Sequence, residues 1–169
     1  SQREPTMATH AGRRRFIGSG FALVALGGMP PCSGADPALP YIATMAAMQE
    51  ARAVETRVSR QYFAFGRKAL DDGYKGVAYL FTAFASSEQV HAANFGKVLA
   101  QLGAESPPLP RYAGPVGTTR ENLIAAAKGE AESIEDLYPK MLERIRPEGH
   151  AEAMRFVQFA WASERQHHD

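Results

Sequence analysis

A chain of 169 residues with 45% hydrophobic and 22% charged residues fits one globular domain plus a leader, and excludes wholesale disorder. The formal net charge of +1, without a basic stripe interleaved with aromatics, argues against nucleic acid as a partner. Cys32 is the single cysteine, which excludes an internal disulfide and any Cys-x-x-Cys centre within the chain.

The N-terminus reads as an address rather than as structure. Arg13-Arg14-Arg15 precedes an apolar run from Phe16 to Met29, and small and turn-forming residues follow through Ala35. This pattern predicts an export signal of the twin-arginine type over residues 1–35, and hence a periplasmic protein. The run falls short of the roughly 20 residues that span a bilayer. An uncleaved membrane anchor is the alternative. Ser33-Gly34-Ala35 offers a small-x-small cleavage pattern, leaving Asp36 as the mature N-terminus, and Met7 is a candidate start. Removing residues 1–35 turns the formal charge to −2, a mildly acidic domain over residues 36–169.

From about Leu39 the periodicity is helical throughout. Predicted helix A carries Met48, Ala51, Glu55, Val58, Tyr62, Phe65 and Ala69 at spacings of three and four, an apolar stripe broken by one glutamate. Asp71-Asp72-Gly73 ends it in a short turn, so helix B returns antiparallel. Helix B places Val77, Phe81, Phe84, Phe95, Val98 and Leu102 on one face, with Glu88 and His91 in the middle of it, and stops at Gly103. The stretch from Gly103 to Gly117, with four prolines and three glycines, is long for a helix connection and predicts a crossover along the bundle. Thr118-Thr119-Arg120-Glu121 matches the capping box that opens helix C. Its predicted inward stripe is Leu123, Ala127, Glu130, Ile134, Leu137 and Met141, with a kink at Pro139. Pro147-Glu148-Gly149 turns into helix D, whose face carries Ala153, Val157, Ala160, Glu164 and His167. His150, just after that turn, is expected to be exposed. His168 sits about 100° away from the face of His167.

Two copies of one pattern organise this arrangement, Glu88-Gln89-Val90-His91 and Glu164-Arg165-Gln166-His167. Residues three apart share a helix face, so each Glu-x-x-His points a carboxylate and an imidazole the same way. A buried carboxylate costs several kcal/mol unless it is paired or bound to metal. Each half of the chain supplies a helix with one inward Glu, Glu55 or Glu130, and a helix with Glu-x-x-His. Short A–B and C–D turns around one long B–C crossover predict an all-α fold, the ferritin-like antiparallel four-helix bundle. A Glu from each of two helices and Glu-x-x-His from each of the others is the di-iron or di-manganese carboxylate pattern of such bundles.

These residues resemble the rubrerythrin branch of the ferritin-like superfamily. The resemblance covers about Met45 to His167. It includes Glu55 followed by Tyr62, the Asp72-Gly73-Tyr74 turn, Ser87-Glu88 with His91-Ala92, Gly129-Glu130, Tyr138-Pro139, and Ser163-Glu164 with His167. It implies that Glu88 and Glu164 bridge two metals, that Glu55 and Glu130 are terminal carboxylates, and that His91 and His167 cap one metal each. Tyr62 and Tyr138 are candidate hydrogen-bond donors to the ligating carboxylates. Two departures stand out. Ser133 occupies the place of the additional glutamate that rubrerythrins usually carry, which implies a symmetrical four-Glu, two-His site. Without a rubredoxin-like cysteine pair, electrons are expected from an external donor.

Four carboxylates and two imidazoles suit iron, with manganese or a mixed pair as alternatives, and two divalent ions balance the charge. The expected activity is a di-iron oxidoreductase that reduces hydrogen peroxide or oxygen. The resemblance implies a homodimer, the common assembly of that family. Two other readings stay open: an iron-binding ferroxidase, and a ferritin-like interaction subunit attached to a membrane complex through its N-terminal segment.

Overall fold

The computed structural model describes residues 41–168 apart from 107, 110, 112 and 113. The expected export signal, Cys32, the expected cleavage pattern and Asp36 lie outside the described residues. Helix α1 (Ile42–Asp71) is predicted helix A, and α2 (Lys75–Gln101) is helix B. Helix C comprises α3 (Thr119–Glu132), a π-helical turn (Ser133–Leu137) and α4 (Tyr138–Ile145), while α5 (Ala151–His168) is helix D. Together they form the expected four-helix bundle with one long crossover.

Each stop signal works through the backbone. Gly73 and Gly103 adopt φ of 85° and 66°, a left-handed conformation that costs glycine little. At α1 the amides of Gly73 and Tyr74 return to the carbonyls of Leu70 and Ala69; at α2 those of Gly103 and Ala104 return to Ala100 and Leu99. Both ends are Schellman caps, which satisfy carbonyls that would otherwise be orphaned. At the start of α3 the capping box forms, with the Thr118 amide on Glu121 Oε2 at 2.8 Å and the Glu121 amide on Thr118 Oγ1 at 3.3 Å.

The two halves of the chain are also cross-stitched at the ends. Asp72, in the turn after α1, accepts hydrogen bonds from the amide and hydroxyl of Thr119 at the start of α3. Glu148, in the turn after α4, accepts the amides of Ala43 and Thr44 at 2.8 and 2.7 Å, at the start of α1. Each carboxylate satisfies orphan amides that the helix it caps leaves without a partner, at the end where the helix dipole favours negative charge. Each inter-helix turn thus caps the opening helix of the other half. The crossover runs beside α1, where Gln49 donates to the Glu105 carbonyl and Arg60 to that of Leu109.

Two differences from the sequence-based expectation fall on helix C. Its inward positions are Asn122, Ala126 and Glu130, not Leu123 and Ala127, which are exposed. Asn122 is drawn in by a reciprocal pair with the Gly117 backbone, accepting from its amide at 2.9 Å and donating to its carbonyl at 3.1 Å. After Glu130 the π turn absorbs one residue, so Tyr138, Met141, Leu142 and Ile145 face inward while Ile134 and Leu137 are only half-buried. The interruption expected at Pro139 is this π turn, after which Pro139 sits in the first turn of α4. His150 is half-buried rather than exposed: its Nδ1 accepts the Ala153 amide, and its ring lies edge-on to Tyr41.

The apolar core comes in two parts. One gathers Tyr62, Phe65, Phe81, Ala85 and Ala126; the other gathers Met48, Phe95, Val98, Leu99, Tyr138, Ile145 and Val157 among others. Buried Glu55, Glu88, His91, Glu130 and Glu164 belong to neither. On α1, α2 and helix C they fall at sequence positions between the two apolar sets, and on α5 Glu164 follows the single set formed by Ala153, Val157 and Ala160.

Candidate metal centre

All six predicted ligand residues converge. Glu55, Glu88, His91 and Glu164 form one group whose ligand atoms lie within 4.8 Å of one another, and Glu88, Glu130, Glu164 and His167 form a second. Glu88 and Glu164 belong to both groups. Their oxygens divide between the histidines. His91 Nδ1 lies 2.9 Å from Glu88 Oε2 and 3.3 Å from Glu164 Oε1. His167 Nδ1 lies 2.9 Å from Glu88 Oε1 and 3.2 Å from Glu164 Oε2. Each half-site therefore has one oxygen of each shared carboxylate, one imidazole nitrogen and one further glutamate.

Glu88 tests whether these residues fit a metal. It is fully buried, and neither of its oxygens takes a hydrogen bond; buried His91 Nδ1 takes none either, although a carboxylate oxygen lies 2.9 Å away. Ligand atoms this close with no hydrogen bond between them suit a cation held in common. A carboxylate buried in this way costs several kcal/mol, and a cation between the groups removes the cost.

The tyrosines complete the arrangement by crossing between halves. Tyr62 of α1 donates its hydroxyl to Glu130 of α3, and Tyr138 of α4 donates to Glu55 of α1. Each is too far along its own helix to reach its own half's glutamate, since seven residues rise about 10.5 Å. Tyr138 also lies 3.4 Å from Glu164 Oε1. Burial first, then the neighbouring carboxylates, pushes both phenols upward, so they remain protonated donors.

Without metal the cluster holds protons. Burial lifts the Glu130 carboxyl to about 9, and burial together with Glu88 lifts Glu55 well above the usual carboxylate range. For His91 and His167 burial acts to lower the pKa, but the adjoining carboxylates of Glu164 and Glu88 outweigh it and raise both imidazoles to about 10. At Glu164 burial acts upward and is outweighed by the adjoining imidazoles of His167 and His91, which hold the carboxyl below its ordinary range. Metal uptake must displace these protons.

Several contributors were not singled out by sequence reasoning as site residues. The hydroxyls of Ser87 and Ser163 lie 3.2 Å apart, and Ser163 Oγ lies 3.4 Å from His167 Nε2. A serine directly before each Glu-x-x-His was the available signal. The Phe84 ring packs on that of His167, with centroids 4.4 Å apart. A cavity of about 480 Å³ between α1, α3 and the π turn reaches Glu55, Tyr62, Glu130 and Glu164 and is also lined by Ser133. It gives small molecules a way to the cluster.

The chain matches the rubrerythrin family model over residues 47–169. It is 32% identical over 123 residues to rubrerythrin-1 of Clostridium acetobutylicum, covering 71% of this chain and 63% of that protein. It is 31% identical over 127 residues to nigerythrin of Nitratidesulfovibrio vulgaris, covering 73% and 61%. A solved structure of nigerythrin in its fully reduced, all-ferrous state matches with a TM-score of 0.69 at 29% identity, over 74% of this chain and 62% of the other. The chain thus spans about three fifths of the length of these curated relatives. With most of its length matched and its carboxylates and histidines gathered at the centre of the bundle, the chain belongs to the rubrerythrin family.

Proposed function

We propose that this chain holds two iron ions between Glu55, Glu88, His91, Glu130, Glu164 and His167 and uses them to reduce hydrogen peroxide or oxygen. The observation that carries the reading is the division of the oxygens of Glu88 and Glu164 between two histidines, which is what a pair of bridging carboxylates requires. Four carboxylates offset the charge of two divalent ions, and hard oxygen donors with imidazole suit iron.

When bound, the iron pair supplies the two electrons that cleave the oxygen–oxygen bond of peroxide. Two protons must accompany them to give two waters. The protein's share of the work is positional. Glu88 and Glu164 fix the separation of the two half-sites, and the hydroxyls of Tyr62 and Tyr138 hold Glu130 and Glu55 in place while keeping their protons close to the cluster. The cavity between α1 and α3 admits a molecule the size of peroxide to the carboxylate side. An external donor returns the electrons.

Iron-loaded protein supplied with peroxide and an added reductant is expected to turn over many times. Oxidation limited to one equivalent per site would favour the iron-binding, ferroxidase reading, and consumption at the background rate would reject the enzyme. Export by the twin-arginine route and a periplasmic location belong to the same proposal, supported by Arg13-Arg14-Arg15 and the apolar run after it. N-terminal sequencing of protein from the export compartment is expected to start near Asp36; an intact leader would favour a membrane-attached subunit. A homodimer is also proposed, for which exposed Leu123 and Ile124 on α3 offer apolar surface.

A further inference from the structure

The π turn creates a hydrogen-bonding problem that α5 solves. Its closing bond runs from the Tyr138 amide to the Ser133 carbonyl, five residues back. In that register the Ile134 carbonyl would be served by the amide of residue 139, but Pro139 has no N–H. Its donor is instead the indole Nε1–H of Trp161, 2.9 Å away on α5. Trp161 is half-buried, and the guanidinium of Arg165 lies 4.5 Å above its ring.

In a continuous α-helix the Tyr138 amide would return four residues to Ile134, and that carbonyl would already be taken. The indole bond therefore has its full value only in the π register, and an interaction made in one of two states shifts the balance toward that state. Register decides where Tyr138 points. Glu55 and Tyr62 are seven residues apart, about 20° short of two full turns, so they share a face. Glu130 and Tyr138 are eight apart, which an unbroken α-helix would leave about 80° past two turns. The π turn absorbs the extra residue and returns the Tyr138 hydroxyl to Glu55.

We infer that Trp161 is a positioning residue: its indole N–H fixes the π turn of helix C, and the π turn holds the Tyr138 hydroxyl on the Glu55 half of the site. The link to the turn stands on the backbone alone, whereas the link to metal rests on the di-iron reading above.

The chain contains one tryptophan, so Trp161→Phe, or uniform replacement of tryptophan by the near-isosteric 3-benzothienylalanine, removes this N–H and no other. The second replacement keeps the bulk of the ring if the first disturbs folding. Amide hydrogen exchange is measured on the full chain as isolated, and ferrous-ion affinity after anaerobic loading. Both replacements are expected to speed exchange over residues 134–140 about threefold to tenfold, the net worth of one neutral hydrogen bond, while leaving α2 unchanged. Ferrous affinity is expected to fall in Trp161→Phe and in Tyr138→Phe, with the double variant no weaker than Tyr138→Phe alone, because the two act through one path.

Unchanged exchange over residues 134–140 in both replacements would overturn the inference. So would affinity losses that multiply in the double variant, or a loss in Tyr138→Phe with none in Trp161→Phe. If the parent protein binds no ferrous ion, the di-iron reading fails instead, and hydrogen exchange alone decides whether Trp161 holds the turn.

Discussion

Replacing Glu88 and Glu164 together by alanine is expected to abolish binding of both metals while leaving the helical fold in place. These residues contribute to both ligand groups, so their loss leaves each half-site with one glutamate and one histidine. Two ligands do not hold a ferrous ion against water, and the expected change is from about two irons per chain to none. The fold survives because both apolar core clusters are built from other residues. Removing two buried carboxylates also removes repulsion that burdens the metal-free protein, and this works against the cavities left behind. Elemental analysis beside circular dichroism checks the outcome. Retention of one full metal equivalent in the double variant would refute shared ligation by Glu88 and Glu164.

The metal-free protein is expected to lose stability as pH rises, whereas its metal affinity increases over the same range. His91 and His167 move from an ordinary 6.5 to about 10 in the folded state. Their contribution is fully present below 6.5 and is lost as pH rises through 10. Glu130, lifted from 4.5 to about 9, and Glu55, also lifted, have the same sign: the folded chain keeps protons that the unfolded chain has released. Stability falls with pH wherever the folded state binds more protons. Glu164 is shifted downward and acts in the opposite sense, but only in the acid range below 4.5. The groups share protons within one cluster, so the loss belongs to the set and is on the order of several kcal/mol across the window. Bound metal replaces those protons and should remove the decline. Thermal unfolding of stripped and iron-loaded protein between about pH 6 and pH 9 distinguishes the cases. A midpoint of the stripped protein that stays flat or rises across that range would contradict the proton-holding cluster.

The positions of the helices and the site residues were legible because both are written in local spacing. Glycine after the apolar stripe at Gly73 and Gly103, and the Thr118/Glu121 capping box, terminate or open helices through bonds spanning only a few residues. The repeated Glu-x-x-His fixes two directions by helix geometry alone. Helix C was less legible. Leu123 and Ala127 are as apolar as Ala126, and what turned the helix inward by one position was the bond between Asn122 and the Gly117 backbone. Beyond Glu130 no fixed period applies, because the phase depends on where one extra residue is absorbed. The mismatch between the seven-residue and eight-residue spacings to Tyr62 and Tyr138 was the visible trace of it.

What the sequence by itself determined was the number of helices, their order and the set of residues that would face the interior with a charge. Those properties follow from periodicities within one helix or one turn. Only the tertiary structure decided the pairings: Tyr62 with Glu130 and Tyr138 with Glu55, Asp72 on the start of α3 and Glu148 on the start of α1, and Trp161 on the carbonyl that Pro139 leaves without a donor. These contacts join residues 27 to 105 positions apart. Helix spacing sets which way a side chain points, but its partner is set by the packing of whole helices, which brings each helix against groups that another helix leaves unsatisfied.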